Sequence, residues 1–363
     1  MNHTPDFDQF ATVLRRGRPD RPVLFEYYLN GRLYERLAGR PAPTAPQTGG
    51  GRSVTGRVDE SMSTEYRAYV ADLIRWYADA WRAGGYDYVT LMPGIICPAY
   101  SFRKTAHTKA RSHSINEGGL ITDRESLERF DWPDADAIDP AALDTAAGAL
   151  PDGMRFLICG PMGVLENMVD LVGYDNLCYM LVDDRELVRD IADAFGSRLL
   201  EWYERLIGHA SVGTLIANDD WGFKTQTMIA PDDLREFVFP WYRKFAALAH
   251  EHDKPALLHS CGRLDEVMDD VIDDLRLDGK HSYEDVILPV EDAYERWGHR
   301  IAIIGGIDVD FLCTATPDEI TRRARAMLDR TSDRGGYALG SGNSIPDYVP
   351  DDAFFAMTKA ALS

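Results

Sequence analysis

Residues 300–308 read RIAIIGGID, and residues 255–261 read PALLHSC. Each stretch is a short, almost continuously apolar run that ends in polar residues, which is the pattern of a strand buried on both faces of a parallel sheet. Six further runs have the same character: 23–27, 86–92, 154–160, 214–220, 277–282 and 336–341. The sequence therefore predicts eight strands.

Long amphipathic segments alternate with these runs, as expected for helices that cover a parallel sheet. They are residues 63–83, 176–209 (long enough for two helices), 231–251 and 316–330. The last begins with Thr316, Pro317 and Glu319, which predicts a capping box at its N-terminus. Eight strands with intervening helices favour a (β/α)8 barrel of the TIM type. A doubly wound sheet is the weaker alternative, because no GxGxxG follows the first strand.

The charge balance of the chain restricts its partners. Its 363 residues contain 39 Lys and Arg against 59 Asp and Glu, a formal net charge of −20. Nucleic acids and anionic membranes repel such a chain, so neither is an expected partner. The five cysteines are odd in number, widely spaced and without a CxxC pair, and the N-terminus has no apolar signal segment. We expect a cytoplasmic protein with reduced thiols and no membrane span.

A TIM barrel needs about 250 residues, so the length is best assigned to a single elaborated barrel domain, residues 1–363. Residues 1–85 form an N-terminal extension with the first strand, and residues 86–363 form the remainder. Within the extension, residues 40–55 are rich in Pro, Gly, Ser and Thr, which predicts a flexible surface loop.

Polar residues follow most of the predicted strands, at the barrel rim where active sites of this fold lie. We predict that Asp219, His281 and Glu284 are catalytic. We predict that the following residues bind substrate, a small molecule: Glu26, Tyr28, Asp220, Trp221, Asp308, Ser341 and Asn343. Asp219 and Asp220 are adjacent, so in extended backbone they point to opposite sides and at most one enters the pocket.

The spacing His259-x-Cys261 places an imidazole and a thiol on the same face of a strand. Such a pair is the start of a zinc site, although a buried histidine beside an inert core cysteine has the same spacing. The basic segment around Arg103, Lys104, Lys109 and Arg111 could contact an anionic ligand, but a solvated loop balanced by nearby acids is the favoured interpretation.

Five motifs in order resemble the uroporphyrinogen decarboxylase superfamily: LRRGRPDRPVLFE from residue 14, LENMVDLVGYDNL from 165, NDDWG from 218, LLHSCG from 257 and IIGGIDVD from 303. The resemblance covers nearly the whole chain and implies a (β/α)8 barrel with extra N-terminal helices. True decarboxylases of this family use N-terminal arginines and an aspartate after the second strand. Here those regions read FEYYLNGR and YVTLMPG, and neither element is present.

The other branch of the superfamily contains corrinoid-dependent methyltransferases. Their zinc-binding H-x-C pair corresponds to His259 and Cys261, which are therefore the expected metal ligands. A third ligand in that branch is a cysteine in a turn after strand eight, and Ser341 stands in its place. His281 ranks first among the possible substitutes, followed by Glu284 and Asp308. Cys313 and Glu166 are weaker candidates, because Cys313 is better explained as a buried apolar cysteine and Glu166 equally well as a carboxylate at a helix N-terminus.

The resemblance thus implies a zinc-dependent methyltransferase of a corrinoid-linked system, of the O-demethylase or methylcobamide:thiol type. A separate corrinoid protein would be its partner, and a homodimer is compatible with the family. Two alternatives are a cofactor-independent decarboxylase acting on a carboxylated substrate and a non-catalytic barrel that binds a ligand.

Overall fold

The computed structural model of the chain describes residues 3–46, 64–97, 100–102, 119–135, 138 and 140–362. Most of the predicted flexible loop (residues 47–55) and the basic segment from Arg103 to Arg111 lie outside the described residues.

One parallel sheet forms the centre of the fold, and its seven strands follow chain order. They are β1 (Tyr88–Leu91), β2 (Arg155–Cys159), β3 (Val212–Asn218), β4 (Ala256–His259), β5 (Gly279–His281), β6 (Ala302–Ile304) and β7 (Tyr337–Ala338). Asn218 pairs with His259, and His259 pairs with His281, so the carboxyl ends of β3, β4 and β5 lie side by side. Seven of the eight predicted strands are therefore confirmed, most of them shorter than the apolar run.

The predicted first strand, residues 23–27, is reduced to a single parallel bridge between Leu24 and Leu339. Phe25 N donates to Leu339 O, and Leu339 N donates to Val23 O, both at 2.8 Å. Towards β1, a side chain replaces the backbone ladder: the Tyr88 hydroxyl accepts from Glu26 N and donates to Glu26 O, both at 2.7 Å. A regular strand does not form because this tyrosine takes both backbone groups of Glu26.

Helices surround the sheet, and three of those in the described residues precede β1. The helices are α1 (Phe7–Leu14), α2 (Gly31–Ala38), α3 (Thr64–Ala83), α4 (Pro93–Ile96), α5 (Arg124–Glu128), α6 (Pro140–Ala147), α7 (Val164–Val172), α8 (Tyr174–Asp183), α9 (Arg185–Ile207), α10 (Pro231–Asp233), α11 (Phe239–Glu251), α12 (Val290–Trp297), α13 (Val309–Thr314), α14 (Pro317–Thr331) and α15 (Asp351–Leu362). Short π-helical turns occur at Leu234–Val238 and Asp270–Asp274, and a 3₁₀ turn at Asp265–Val267.

The predicted helices agree with this list, and local chemistry explains their ends. Thr316 Oγ1 accepts from Glu319 N, and Thr316 N donates to Glu319 Oε2 at 2.9 Å, so the predicted capping box of α14 is confirmed. The predicted helix over 231–251 is interrupted by the π-helical turn just before Pro240. Proline has no N–H to donate four residues back, so the hydrogen-bond register widens at this point.

The strands are almost entirely buried, since an apolar cluster extends from Phe7 to Ala360 on both sides of the sheet. In the part of the chain that the structure describes, no helix combines the length and the hydropathy needed to cross a bilayer.

Candidate metal centre

Three potential metal ligands meet at the carboxyl ends of β3 and β4. Asp220 follows β3, His259 ends β4, and Cys261 comes two residues later, as the alternation of an extended chain requires. Each offers one ligand atom, and these atoms all lie within 4.8 Å of one another. Cys261 Sγ is 3.9 Å from His259 Nε2, and Cys261 N donates to Asp220 Oδ1 at 2.8 Å, which ties the two loops together.

A chain of hydrogen bonds behind His259 determines which of its ring nitrogens is free. His281 Nε2 lies 3.2 Å from Ser341 O, and a carbonyl only accepts, so His281 carries its proton on Nε2. In a neutral His281 the other nitrogen, Nδ1, must then accept from His259 Nδ1, which is 2.8 Å away. The lone pair of His259 Nε2 is left facing Cys261. Burial favours this neutral state, because it lowers the pKa of His259 to about 4 and that of His281 well below its usual value.

Some of the groups around Cys261 disfavour a negative charge on its sulfur, and others favour it. Burial, and then the Asp220 carboxylate, raise the pKa of its thiol above the usual value. Asn343 Nδ2 donates to the sulfur at 3.3 Å. A dication bound here would favour the thiolate, as cations do for coordinated thiols.

Asp219 points away from this cluster and holds the N-terminus of α7. Its two carboxylate oxygens accept from Leu165 N at 2.9 Å and Glu166 N at 2.8 Å, and Oδ2 also accepts from Trp221 Nε1. Burial raises the pKa of Asp219 to about 7. The prediction that Asp219 and Asp220 point in different directions agrees with this arrangement, while the catalytic role predicted for Asp219 stays a prediction.

Glu26 and Ser341 are buried against each other beside the histidine pair. Glu26 Oε1 accepts from Ser341 N at 2.7 Å, and Glu26 Oε2 is 2.5 Å from Ser341 Oγ. Ser341 Oγ also lies 2.8 Å from Asn343 O. The single hydroxyl hydrogen serves one of these acceptors, so a protonated Glu26 allows both contacts to be hydrogen bonds. This agrees with burial, which raises the pKa of Glu26 to about 8.

The contacts of the remaining predicted site residues are as follows, and their substrate-binding or catalytic roles stay predictions. Asp308 caps α13 by accepting from Phe311 N, and it also accepts from Asp285 N. Trp221 is fully buried against Phe239 and Tyr242. Glu284 lines a separate side pocket with Lys280, Tyr283 and apolar neighbours. Tyr28 is 44% exposed next to Tyr27, whose ring lies 4.6 Å from that of His259.

Comparison with known proteins identifies the family to which the chain belongs. The sequence profile of uroporphyrinogen decarboxylase (URO-D) matches residues 121–363, about two thirds of the chain.

The chain belongs to the uroporphyrinogen decarboxylase family.

Two solved structures of other proteins are similar to this chain. A methyltransferase from Methanosarcina mazei is similar with a TM-score of 0.67 at 17% identity, over 97% of both chains. A Listeria monocytogenes protein assigned as a vitamin-B12-independent methionine synthase gives a TM-score of 0.49 at 13% identity, over 94% of this chain and 97% of that one. Comparison with curated proteins gives no match. At 17% identity, the likeness to the Methanosarcina mazei protein concerns the fold alone.

The ligand set of this uroporphyrinogen decarboxylase family member fits zinc by its chemistry. A thiolate, an imidazole with a free nitrogen and a carboxylate are the three donor types that zinc accepts, and catalytic zinc sites combine three protein ligands with one open position. Ser341 Oγ does not join them, because it is engaged with Glu26 and Asn343.

Asp220, predicted to bind substrate, instead lies among the possible metal ligands. It is the second residue after β3, and the pairing of β3 with β4 brings it next to Cys261. His281, ranked first as the third ligand, instead lies behind His259 with both ring nitrogens engaged. Lys280 is not among the predicted site residues. Its Nζ is buried and contacts Ser282 O and the ring of Tyr283.

Proposed function

We propose that this chain is a zinc-dependent methyltransferase of a corrinoid-linked methyl-transfer system. The observation that carries the proposal is the cluster of Asp220, His259 and Cys261, with the His259 Nε2 lone pair directed towards the cysteine sulfur. The fold shared with a methyltransferase over nearly the full chain supports it.

Zinc bound by these residues would act as a Lewis acid. It would stabilise negative charge on the oxygen or sulfur atom of the substrate that gives up or accepts the methyl group. The protein supplies the frame for this chemistry. His281 and Ser341 O hold the His259 ring in one tautomer, and Asp220 Oδ1 holds the backbone of Cys261. Hydrogen bonds of this kind, made to the residues that bind a metal, orient those ligands and tune the metal. The small-molecule substrate would enter from the rim, and a separate corrinoid protein would exchange the methyl group there.

The direct test begins with the metal content of the protein purified without chelators. We expect one zinc per chain in the wild type and a loss of zinc in the double variant His259→Ala/Cys261→Ala. A matched control is Cys178→Ala, since Cys178 is a free thiol outside the cluster. A wild-type protein that contains no metal after zinc supplementation would contradict the zinc mechanism.

The reaction is tested next on the zinc-loaded wild type, with methylcobalamin as a surrogate for the corrinoid protein. Demethylation of the cobalamin in the presence of a thiol or phenol acceptor, followed by its absorbance, is the expected result. Release of carbon dioxide from a carboxylated porphyrin precursor, without methyl transfer, would instead favour a decarboxylase. Tight binding of a small ligand with neither reaction would favour a ligand-binding barrel.

We also propose that residues 23–29 close the sheet into an eight-stranded barrel. They bridge to the segment that follows β7 through Leu24–Leu339 and Leu29–Ile345, and they reach β1 through the Tyr88 hydroxyl. Slow hydrogen exchange of the Phe25 and Leu339 amides is expected, because each donates across this junction. Exchange as fast as in an exposed loop would contradict closure.

A further inference from the structure

The loop that follows β7, residues 339–344, reads LGSGNS and is pressed tightly against three other segments. A Cβ on Gly340 would lie 1.7 Å from Phe25 O, and one on Gly342 would lie 2.1 Å from Tyr283 O. Gly342 N donates to Ile307 O, and Gly342 O accepts from Tyr283 N at 2.9 Å. Asn343 therefore extends from backbone that is held from several sides.

The orientation of the Asn343 amide follows from its two partners. Ser344 N donates to Asn343 Oδ1 at 2.8 Å, and a backbone N–H cannot accept, so the oxygen must be on this side. The NH₂ group is then the part that faces Cys261, with Nδ2 3.3 Å from Sγ. The usual ambiguity between amide oxygen and nitrogen is removed by this arrangement.

The sulfur lies within 4.8 Å of an Asp220 carboxylate oxygen as well as beside this amide. Cys261 is half-buried, and its backbone N–H donates to Asp220 Oδ1 at 2.8 Å. An N–H directed at the sulfur restricts the side chain to one position, as hydrogen bonds to the ligands of a metal do.

We propose that Asn343 is a positioning residue that holds the Cys261 sulfur in the orientation in which it can bind the metal. The proposal rests on the metal-binding part of the proposed function. It extends that function by adding a residue of the loop after β7 to the surroundings of the metal. Asn343 does this without itself being a ligand.

The test uses the full-length protein, the variants Asn343→Ala and Asn343→Gln, and the control Asn176→Ala. Asn176 is a matched control because its amide also donates one hydrogen bond, to Val172 O at 3.0 Å, on a helix outside the cluster. The dissociation constant of zinc is measured by competition with a chromophoric chelator. The thiolate-to-metal charge-transfer band is measured after loading with Co²⁺.

We expect Asn343→Ala to raise the zinc dissociation constant about tenfold, the lower end of what loss of a hydrogen bond to a metal ligand causes. The cobalt band should shift to lower energy, because a sulfur without its N–H donor releases its electrons more easily. Asn343→Gln keeps the amide and should recover part of both effects, and it replaces the alanine variant if that variant fails to fold. Asn176→Ala should leave both quantities unchanged.

An unchanged dissociation constant together with an unchanged cobalt band in Asn343→Ala would overturn the assignment. Equal changes in Asn176→Ala would overturn it too, since the effect would then be general. These outcomes are distinct from a failure of the proposed function, which is metal uptake by the wild type without methyl transfer. A wild type that takes up neither metal would refute both.

Discussion

At the scale of single residues, the site depends on how protons are distributed among buried groups. Ser341 O accepts from His281, His281 accepts from His259, and His259 keeps a free nitrogen on the side of Cys261. Each contact is an ordinary hydrogen bond, yet together they select one tautomer of the ligand that faces the cysteine.

Replacing His281 by Phe should therefore weaken zinc binding although His281 does not touch the metal. The His259 ring would lose the acceptor that retains its Nδ1 proton. We therefore expect the zinc dissociation constant to rise roughly 10- to 100-fold, the range for the loss of a hydrogen bond to a metal ligand. Chelator competition measures this. His250→Ala is the control, because His250 bonds to Asp278 away from the cluster. Equal affinity in wild type and His281→Phe would show that the tautomer does not matter.

Glu26 should make the stability of the protein depend on pH. Its pKa is 4.5 as a reference and about 8 in the fold, so the folded state binds the proton more tightly. The corresponding stability is complete below pH 4.5 and is lost as the pH rises towards 8, by at most about 1.4 kcal/mol per pH unit. Glu26→Gln, which mimics the protonated form, should flatten this decline.

Urea unfolding of both proteins between pH 5 and 8 checks the expectation. Glu35→Gln serves as the control, since Glu35 is an exposed residue of α2. A decline of the same slope in wild type and Glu26→Gln would mean that Glu26 is ionised in the folded protein.

At the scale of elements, the site requires segments to approach one another more closely than side chains normally permit. The turn after β7 meets residues 23–27 at Gly340, and α7 meets the end of β3 at Gly163, where a Cβ would lie 2.2 Å from the Asp219 side chain. Glycine at these positions lets two backbone segments pack without an intervening side chain.

Gly340→Ala should accordingly destabilise the junction between the predicted first strand and β7. The added methyl group meets Phe25 O at 1.7 Å, and forcing the segments apart should lower the free energy of unfolding by about 1–3 kcal/mol or more. Gly31→Ala is the matched control, because nothing lies within 4 Å of the methyl group it adds. Denaturant unfolding measures the free energy of unfolding of both variants. Equal values would show that the junction accommodates the methyl group without loss of stability.

At the scale of the whole molecule, the candidate metal centre joins segments that are far apart in sequence. Asp220 and Cys261 follow different strands, and Asn343 reaches the same sulfur from the loop after β7. A ligand that binds this assembled site, and not the unfolded chain, must stabilise the whole fold.

Zinc should therefore raise the melting temperature, by an amount that grows with the logarithm of its concentration. At a free concentration 100 times the dissociation constant, the stabilisation should be about 2.7 kcal/mol. Calorimetry or far-ultraviolet circular dichroism measures the shift. Cys261→Ala should abolish most of it and Cys178→Ala should not. A shift that persists in Cys261→Ala would place the stabilising metal elsewhere.

Much of this architecture could be predicted from the sequence, because burial and helix capping are local signals. The strands over 255–261 and 300–308 are apolar runs bounded by polar residues, and the capping box at Thr316 is formed by neighbours in the chain. His259-x-Cys261 could be recognised for the same reason, since alternation along one strand places both side chains on one face.

Tertiary structure alone decided which residue joins that pair. Asp220 becomes its neighbour through the pairing of β3 with β4, and His281 is kept behind His259 by the carbonyl of Ser341. The sequence named the chemical groups that can bind a metal, because these depend on residue type and local spacing. Which atoms face each other depends on strand register and on how each buried proton is shared, and those are properties of the packed molecule.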